Sequence, residues 1–218
     1  MKTKSHKTNK VSIVTLGCSK NTVDSEVLQS QLANGGIEAV HEDATGADTI
    51  IINTCGFIDN AKQESIDTIL AYADEKKAGN IEQLIVTGCL SQRYEADLSP
   101  EIPEVDKWYG TFELPQLLKQ VGVDYKKELL GERTSSVSKH YAYMKISEGC
   151  DRPCSFCAIP SFKGKLHSRS LSSIIKEVEN LVAQGFYDFS FISQDSSSYG
   201  RDMKLSDGLI DLIKGVEG

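Results

Sequence analysis

The sequence predicts an α/β fold: an open sheet of parallel strands with covering helices, followed by the start of a second module of the same kind. Three observations carry this expectation. Short apolar runs rich in β-branched residues recur, as in "VSIVTL" (Val11 to Leu16), "TIIIN" (Thr49 to Asn53) and "QLIVT" (Gln83 to Thr87). Between them lie stretches with apolar residues at helical spacing, so the period switches back and forth from two to near four. At 218 residues the chain is long enough for one large or two small domains, each with its own core.

Residues 1–10 form a polar, basic tail, and residues 11–122 the first domain. After the first strand, Val23, Val27, Leu28 and Leu32 share one helical face, and Gly35 and Gly36 stop the helix. The strand at Thr49 leads to a helix expected from Asp59, as its N-cap, towards Gly79, with Ile66, Ile69, Leu70 and Ala73 facing inward. "VDKWYGT" and "FELPQLLKQV" supply one more strand and helix, closing the domain near Val121. Residues 123–139, charged and serine-rich, read as a linker. The second module covers 140–218. "YAYMKI" reads as a strand, Leu171, Ile174, Ile175, Val178, Leu181 and Val182 as a helix ending at Gly185, and "YDFSFIS" (Tyr187 to Ser193) as a strand. Asp207 is expected to cap a last helix carrying Leu209, Ile210, Leu212 and Ile213. Strand, loop, helix, strand, helix is only the start of a parallel barrel or sheet, so this module is expected to be incomplete.

Composition narrows the function classes. The tail has no apolar segment behind it, and no run approaches the ~20 residues of a membrane span, so a cytoplasmic protein is expected. A net charge of -7 does not suggest a broad phosphate-binding face, although it is compatible with a local basic patch, so nucleic acid is unadvertised rather than excluded and no direct nucleic-acid footprint is evident. Six cysteines in such a chain point to metal or redox chemistry more than to disulfides.

Three cysteines each follow a strand directly: "VTLGCSKN", "IINTCGFID" and "IVTGCLSQR" hold Cys18, Cys55 and Cys89. Loops beyond the carboxyl ends of parallel strands converge on one crevice, so the three are candidates for one shared cluster. Burial as small core residues is the alternative. The other three, Cys150, Cys154 and Cys157, sit in "SEGCDRPCSFCAIP". Three thiolates at this spacing can wrap one face of an iron–sulfur cubane, which usually takes four, and leave one iron open. A zinc site completed by His140 or His167 is the competing set.

This loop resembles the signature of radical S-adenosylmethionine enzymes. Together with "LGCSKNTVDSE", "NTCGFIDNAKQESIDTIL" and "TGCLSQRY", it resembles the methylthiotransferase family, in particular its ribosomal-protein branch, the RimO type. The resemblance implies a flavodoxin-like N-terminal methylthiotransferase domain followed by the first part of a radical-SAM partial TIM barrel. It implies two 4Fe-4S clusters: one on Cys150, Cys154 and Cys157 that binds S-adenosyl-L-methionine at its open iron, and an auxiliary one on Cys18, Cys55 and Cys89.

Its implied reaction is methylthiolation of the β-carbon of an aspartate in small-subunit ribosomal protein twelve, free or in the ribosome, with a reducing electron donor as second partner. Hydrogen abstraction from such a carbon lies beyond side-chain bases, which is why a radical-generating cofactor is needed. By the same resemblance Phe156 lies against the adenine, with a core aromatic as the alternative, and Gln194 and Asp195 meet the cofactor's amino group, with helix capping as the alternative for Asp195. Lys163, Lys165, His167 and Arg169 are candidates for the cofactor's carboxylate or an acidic substrate loop, with a merely solvated charged loop as the alternative. His167 and Ser170 stand where the family commonly has arginine and proline. The transfer-RNA branch of the family, and a non-catalytic iron–sulfur or zinc-binding module, are the rival functions. The family's barrel has six strands and is followed by a TRAM domain. The 218 residues alone are therefore expected to bind clusters but to turn over poorly.

Overall fold

The computed structural model describes residues 10–126, 132, 133, 135, 136 and 140–217. Residues 1–9 of the polar tail, and 127–131, 134 and 137–139 of the expected linker, lie outside the described residues. The chain divides into two compact units: among the described residues, 10–17 and 31–125 form the first, and 18–30 with the residues from 126 onward form the second.

The first unit is built on five parallel strands: β1 (Lys10–Thr15), β2 (Glu38–His41), β3 (Thr49–Thr54), β4 (Gln83–Gly88) and β5 (Lys107–Tyr109). Their order is β2-β1-β3-β4-β5, a flavodoxin-like doubly wound sheet. The central strands are continuous apolar runs because helices cover both faces: Ile50, Ile51, Ile52, Leu84, Ile85 and Val86 are all fully buried. Two elements escape sequence reading. Strand β2 is a short, half-exposed edge with no apolar run. Helix α3 (Cys89–Leu98) starts at the cysteine itself, and its polar start, Ser91, Gln92 and Arg93, hides the helical period.

Helix α1 spans Ser19–Asn34 and α2 spans Asp59–Lys77. Helix α2 differs from expectation in two ways. Ile58, not Asp59, is the N-cap, and among the described residues no side-chain hydrogen bond caps this end. Asp59 is already helical, and its carboxylate lies 2.6 Å from Lys62 Nζ, a position in the first turn that favours negative charge. Leu70 is also exposed, at 46%, because the buried stripe runs through Ser65, Ile69 and Ala73 at i, i+4 spacing. Helix α4 (Leu114–Gln120) buries Leu117 and Leu118 as the last helix of this unit.

The second unit has strand β6 (Tyr141–Lys145) parallel to β9 (Asp188–Ile192), with helix α6 (Leu171–Ala183) as the crossover and α7 (Gly208–Glu217) after it. Ala142, Met144, Ile174, Val178, Leu181 and Leu212 form its core. Asp207 stands at the start of α7, its carbonyl accepting the N–H of Asp211 at 2.9 Å. Between β6 and α6 come β7 (Ser147–Glu148), α5 (Ile159–Lys163) and β8 (His167–Ser168), β7 and β8 pairing antiparallel. Arg133, in the expected linker, is fully buried in this unit. Among the described residues no helix is long and apolar enough to cross a membrane.

The sheet interior sets the stability of the first unit. Leu84→Ala is expected to cost about 2–5 kcal/mol in urea unfolding, whereas Leu70→Ala stays within about 0.5 kcal/mol.

Candidate functional site

The segment Cys150 to Cys157 is an irregular loop between β7 and α5, and backbone contacts hold its start. The Cys150 N–H donates to the Gly164 carbonyl at 3.1 Å. Gly149 has φ +77, and a Cβ there would lie 2.0 Å from the Lys165 carbonyl oxygen, so only glycine allows this approach. Cys150 Sγ accepts the Arg152 N–H at 3.4 Å, and the Cys157 N–H turns back onto the Cys154 carbonyl at 3.2 Å. Cys154 is exposed, and Cys150 and Cys157 are half-buried. A cavity of about 390 Å³ opens beside the loop, lined by Cys150, Arg152, Pro160 and Lys165 among others.

A dense set of charges supports this loop. Glu148, just ahead of Gly149, is met by Lys145 Nζ at 2.9 Å, by Lys163 Nζ at 3.4 Å and by the Gln194 amide. Burial would raise the Glu148 carboxyl, but the two lysine charges and these hydrogen bonds win and pull it down to about 2. Burial would likewise discharge Lys145, yet Asp24 on α1 and Glu148 hold its ammonium well above the ordinary range. At the exit of β9, Asp195 accepts from Ser197 Oγ at 2.7 Å, Ser198 Oγ at 2.6 Å and Arg152 Nε at 2.7 Å. The serine hydroxyls and then Arg152 hold its carboxyl well below the usual range. Arg152 thus ties the cysteine loop to the neighbouring strand exit.

The scattered cysteines sit where the first three central strands end, each beside a glycine. Gly17, Gly56 and Gly88 adjoin Cys18, Cys55 and Cys89. The register pairs Thr54 with Gly88, so Cys55 and Cys89 leave adjacent strands side by side. Gly88 has φ +103, and a Cβ there would lie 2.5 Å from the Thr54 carbonyl oxygen. Ser65 fixes the Cys55 backbone from both sides, accepting its N–H at 3.1 Å and donating to its carbonyl at 3.0 Å. Cys55 and Cys89 are buried. Cys18 is exposed and begins the turn into α1, its carbonyl accepting the Asn21 N–H at 2.8 Å.

The other sequence candidates fall into distinct places. Phe156 is 93% exposed. Gln194 is half-buried, and its Oε1 is a buried acceptor with no hydrogen-bond partner among the described residues. Arg169 is committed within the fold: it donates to the Lys145 carbonyl at 3.0 Å and to Glu177 at 2.5 Å. Lys163 is buried against Glu148, while Lys165 and His167 are exposed. Ser170 is the N-cap of α6 and accepts the Ser173 N–H, a role that proline, lacking a side-chain acceptor, does not fill. His140 is exposed and lies against Tyr187, ring centroids 5.8 Å apart.

Among the described residues, no three His, Cys, Asp or Glu side chains stand together as a ready metal-ligand set, with or without these histidines. The chemistry of the donors nevertheless suits a thiolate-held cluster: three thiols on one irregular loop, with a backbone N–H aimed at sulfur and a glycine-dependent backbone clamp. Lys145, Glu148 and Arg152 escape sequence reading as site residues. The first two were visible as oppositely charged neighbours in "KISEGC", but nothing in the sequence marks what they meet.

Residues 10–110 match a family model described as "Uncharacterized protein family UPF0004". The chain is 53% identical to a ribosomal protein uS12 methylthiotransferase RimO of Flavobacterium psychrophilum, over 99% of this chain and 49% of that protein. It is 53% identical to the protein of that name from Flavobacterium johnsoniae, over 99% and 50% of the two chains. It is 54% identical to that of Sulfurovum sp., over 95% and 48%. The chain therefore spans about half the length of the curated relatives it matches. Among solved structures, the radical S-adenosylmethionine methyltransferase TsrM from Kitasatospora setae, with tryptophan and a cofactor analogue bound, superposes with a TM-score of 0.63 at 13% identity, covering 94% of this chain and 50% of that one. That likeness supports the fold, a parallel α/β sheet followed by a second parallel strand–helix–strand module.

Asp195 gives a pH signature with a definite sign. A carboxyl lowered by folding stabilises the fold above its ordinary pKa near 3.8, and the contribution fades as pH falls through the folded value. Asp195→Asn is therefore expected to lower the urea midpoint at pH 7, with the gap to the unsubstituted chain closing as pH drops below 3.8.

Proposed function

We infer that the chain belongs to the radical S-adenosylmethionine methylthiotransferase family and carries the two cluster-binding triads of a methylthiotransferase acting on ribosomal protein uS12. In this reading Cys150, Cys154 and Cys157 hold one 4Fe-4S cluster, and Cys18, Cys55 and Cys89 hold the auxiliary one. The product is an aspartate methylthiolated at its β-carbon. The relatives' names support uS12 as the partner, and a reducing electron donor completes the set. The cytoplasm, where thiols stay reduced, suits this chemistry.

When bound, the clusters and S-adenosylmethionine supply the radical that takes a hydrogen from the target carbon and the sulfur that replaces it. The chain's own residues do the rest. Each triad supplies three thiols where a cubane usually takes four ligands, so one iron would stay open, and that count of three is the observation carrying the proposal. Gln194 offers a buried carbonyl oxygen that is unpartnered among the described residues, the acceptor an ammonium group needs, and the Asp195 carboxylate, paired with Arg152, is the next residue. Phe156, exposed at the loop's end, offers a flat apolar face to an adenine. The ionic bed of Lys145, Glu148 and Lys163 keeps the loop's entry rigid.

Anaerobic reconstitution with iron and sulfide tests this directly. About eight irons per chain are expected, falling to about four when Cys150, Cys154 and Cys157 are all replaced by alanine. One zinc per chain with no visible absorption would sink the proposal. Gln194→Ala is expected to weaken S-adenosylmethionine binding to the reconstituted protein by about tenfold, the worth of a charge-assisted hydrogen bond, in equilibrium dialysis.

A further inference from the structure

We infer that Arg133 is a positioning residue, which locks the Cys18 end of α1 to the strand that leads to Cys150. Its side chain is wholly buried. The guanidinium reaches three elements at once: Glu26 on α1, Glu177 Oε1 on α6 at 2.6 Å, and the Tyr143 carbonyl on β6. Glu26 is satisfied further by Ser136 Oγ at 2.8 Å and Ser135 Oγ at 3.3 Å, from the same short segment as Arg133. Glu177 is satisfied further by Arg169 Nη1 at 2.5 Å. The charges alternate Glu26, Arg133, Glu177, Arg169, so the set is neutral as a whole but intolerant of losing one member.

Placement makes this more than a core ion pair. Helix α1 starts just after Cys18, and Glu26 lies two turns further on. On the same helix Asp24 pairs with Lys145, the last residue of β6. Lys145 in turn meets Glu148, two residues before Cys150. Arg133 and Lys145 therefore grip one stretch of α1 and one strand, and the gap from Cys18's helix to Cys150's loop is set between them. Additional clasps hold the segment itself: Ser30 Oγ donates to the Glu132 carbonyl at 2.8 Å, and Gln184 Nε2 to the Arg133 carbonyl at 3.3 Å. Serving three acceptors in different directions takes the planar fork of arginine; a lysine ammonium on a flexible stem cannot hold all three.

Two measurements on the full chain test this, the second resting on the cluster reading above. In hydrogen exchange without iron, Arg133→Met is expected to speed the amides of 19–30 and 141–145 on the order of a hundredfold or more, the size set by removing one partner from a buried ion network. Amides of 49–54 and 83–88 keep their rates. Arg133→Lys, which keeps charge and stem, shows the same localised effect in smaller degree and serves if the methionine variant does not fold. With Cys150, Cys154 and Cys157 replaced by alanine, Arg133→Met is expected to lose most of the iron that the remaining triad holds after reconstitution, while the Cys18→Ala, Cys55→Ala, Cys89→Ala chain keeps its iron with or without Arg133. Unchanged exchange at 19–30, or faster exchange spread evenly over the chain, overturns the positioning role. If the background with Arg133 intact already lacks iron, the cluster reading fails instead, and the exchange pattern alone decides Arg133.

Discussion

Parallel strand pairing is the constraint on which the rest depends. Parallel neighbours cannot be joined by a tight turn, so every strand must be followed by a crossover that leaves from the same edge of the sheet. Whatever residue follows a strand is thereby delivered to one rim. Cys55 and Cys89 arrive there because β3 and β4 are in register up to Thr54 and Gly88. The second unit applies the same rule: Glu148 and the cysteine loop follow β6, Gln194 and Asp195 follow β9, and the parallel pairing of these strands lets Gln194 meet Glu148 and Arg152 meet Asp195.

Delivering a thiol to a rim does not by itself orient it, and glycine solves that problem repeatedly. Gly88 and Gly149 adopt positive φ with another segment's carbonyl oxygen where a side chain would have to go. The backbone just ahead of Cys89 and Cys150 is thus clamped without a side chain at those two positions. Charge does the remaining work in the second unit. Buried carboxylates and cations alternate around Glu148 and around Arg133, so each charge is neutralised by neighbours rather than by water. Such networks tolerate little change, since an uncompensated member is far more costly than the whole set is stabilising.

Legibility in the sequence followed the strength of the period. The strands at Val11, Thr49 and Gln83 were plain because strands buried on both faces must be apolar throughout. Strand β2 was not, since an edge strand half in solvent carries no such demand. Helix α3 was obscured because its first turn opens at the rim, where polar residues and a cysteine belong. Asp59 had the right chemistry for a cap but stands one residue too late, and Leu70 lies one step off the buried stripe. Of the proposed site, the six cysteines and the Gln194–Asp195 pair are the residues that spacing and resemblance single out. Arg152, Lys145 and Glu148 are not singled out, because their value lies in partners 43, 121 and 46 residues away.

What the sequence determined by itself is local and periodic: the alternation of strands and helices, the glycine–cysteine pairs at strand ends, and three thiols spaced to share one loop. Those features depend on neighbours along the chain, which the sequence displays directly. Tertiary structure alone decided which charges meet. Arg133 looked like one more cation in a polar stretch, and only the folded chain brings Glu26, Tyr143 and Glu177 around it. The physical reason is that a buried ion pair leaves no periodic trace: its energy comes from distance and desolvation, which exist only once remote segments have packed.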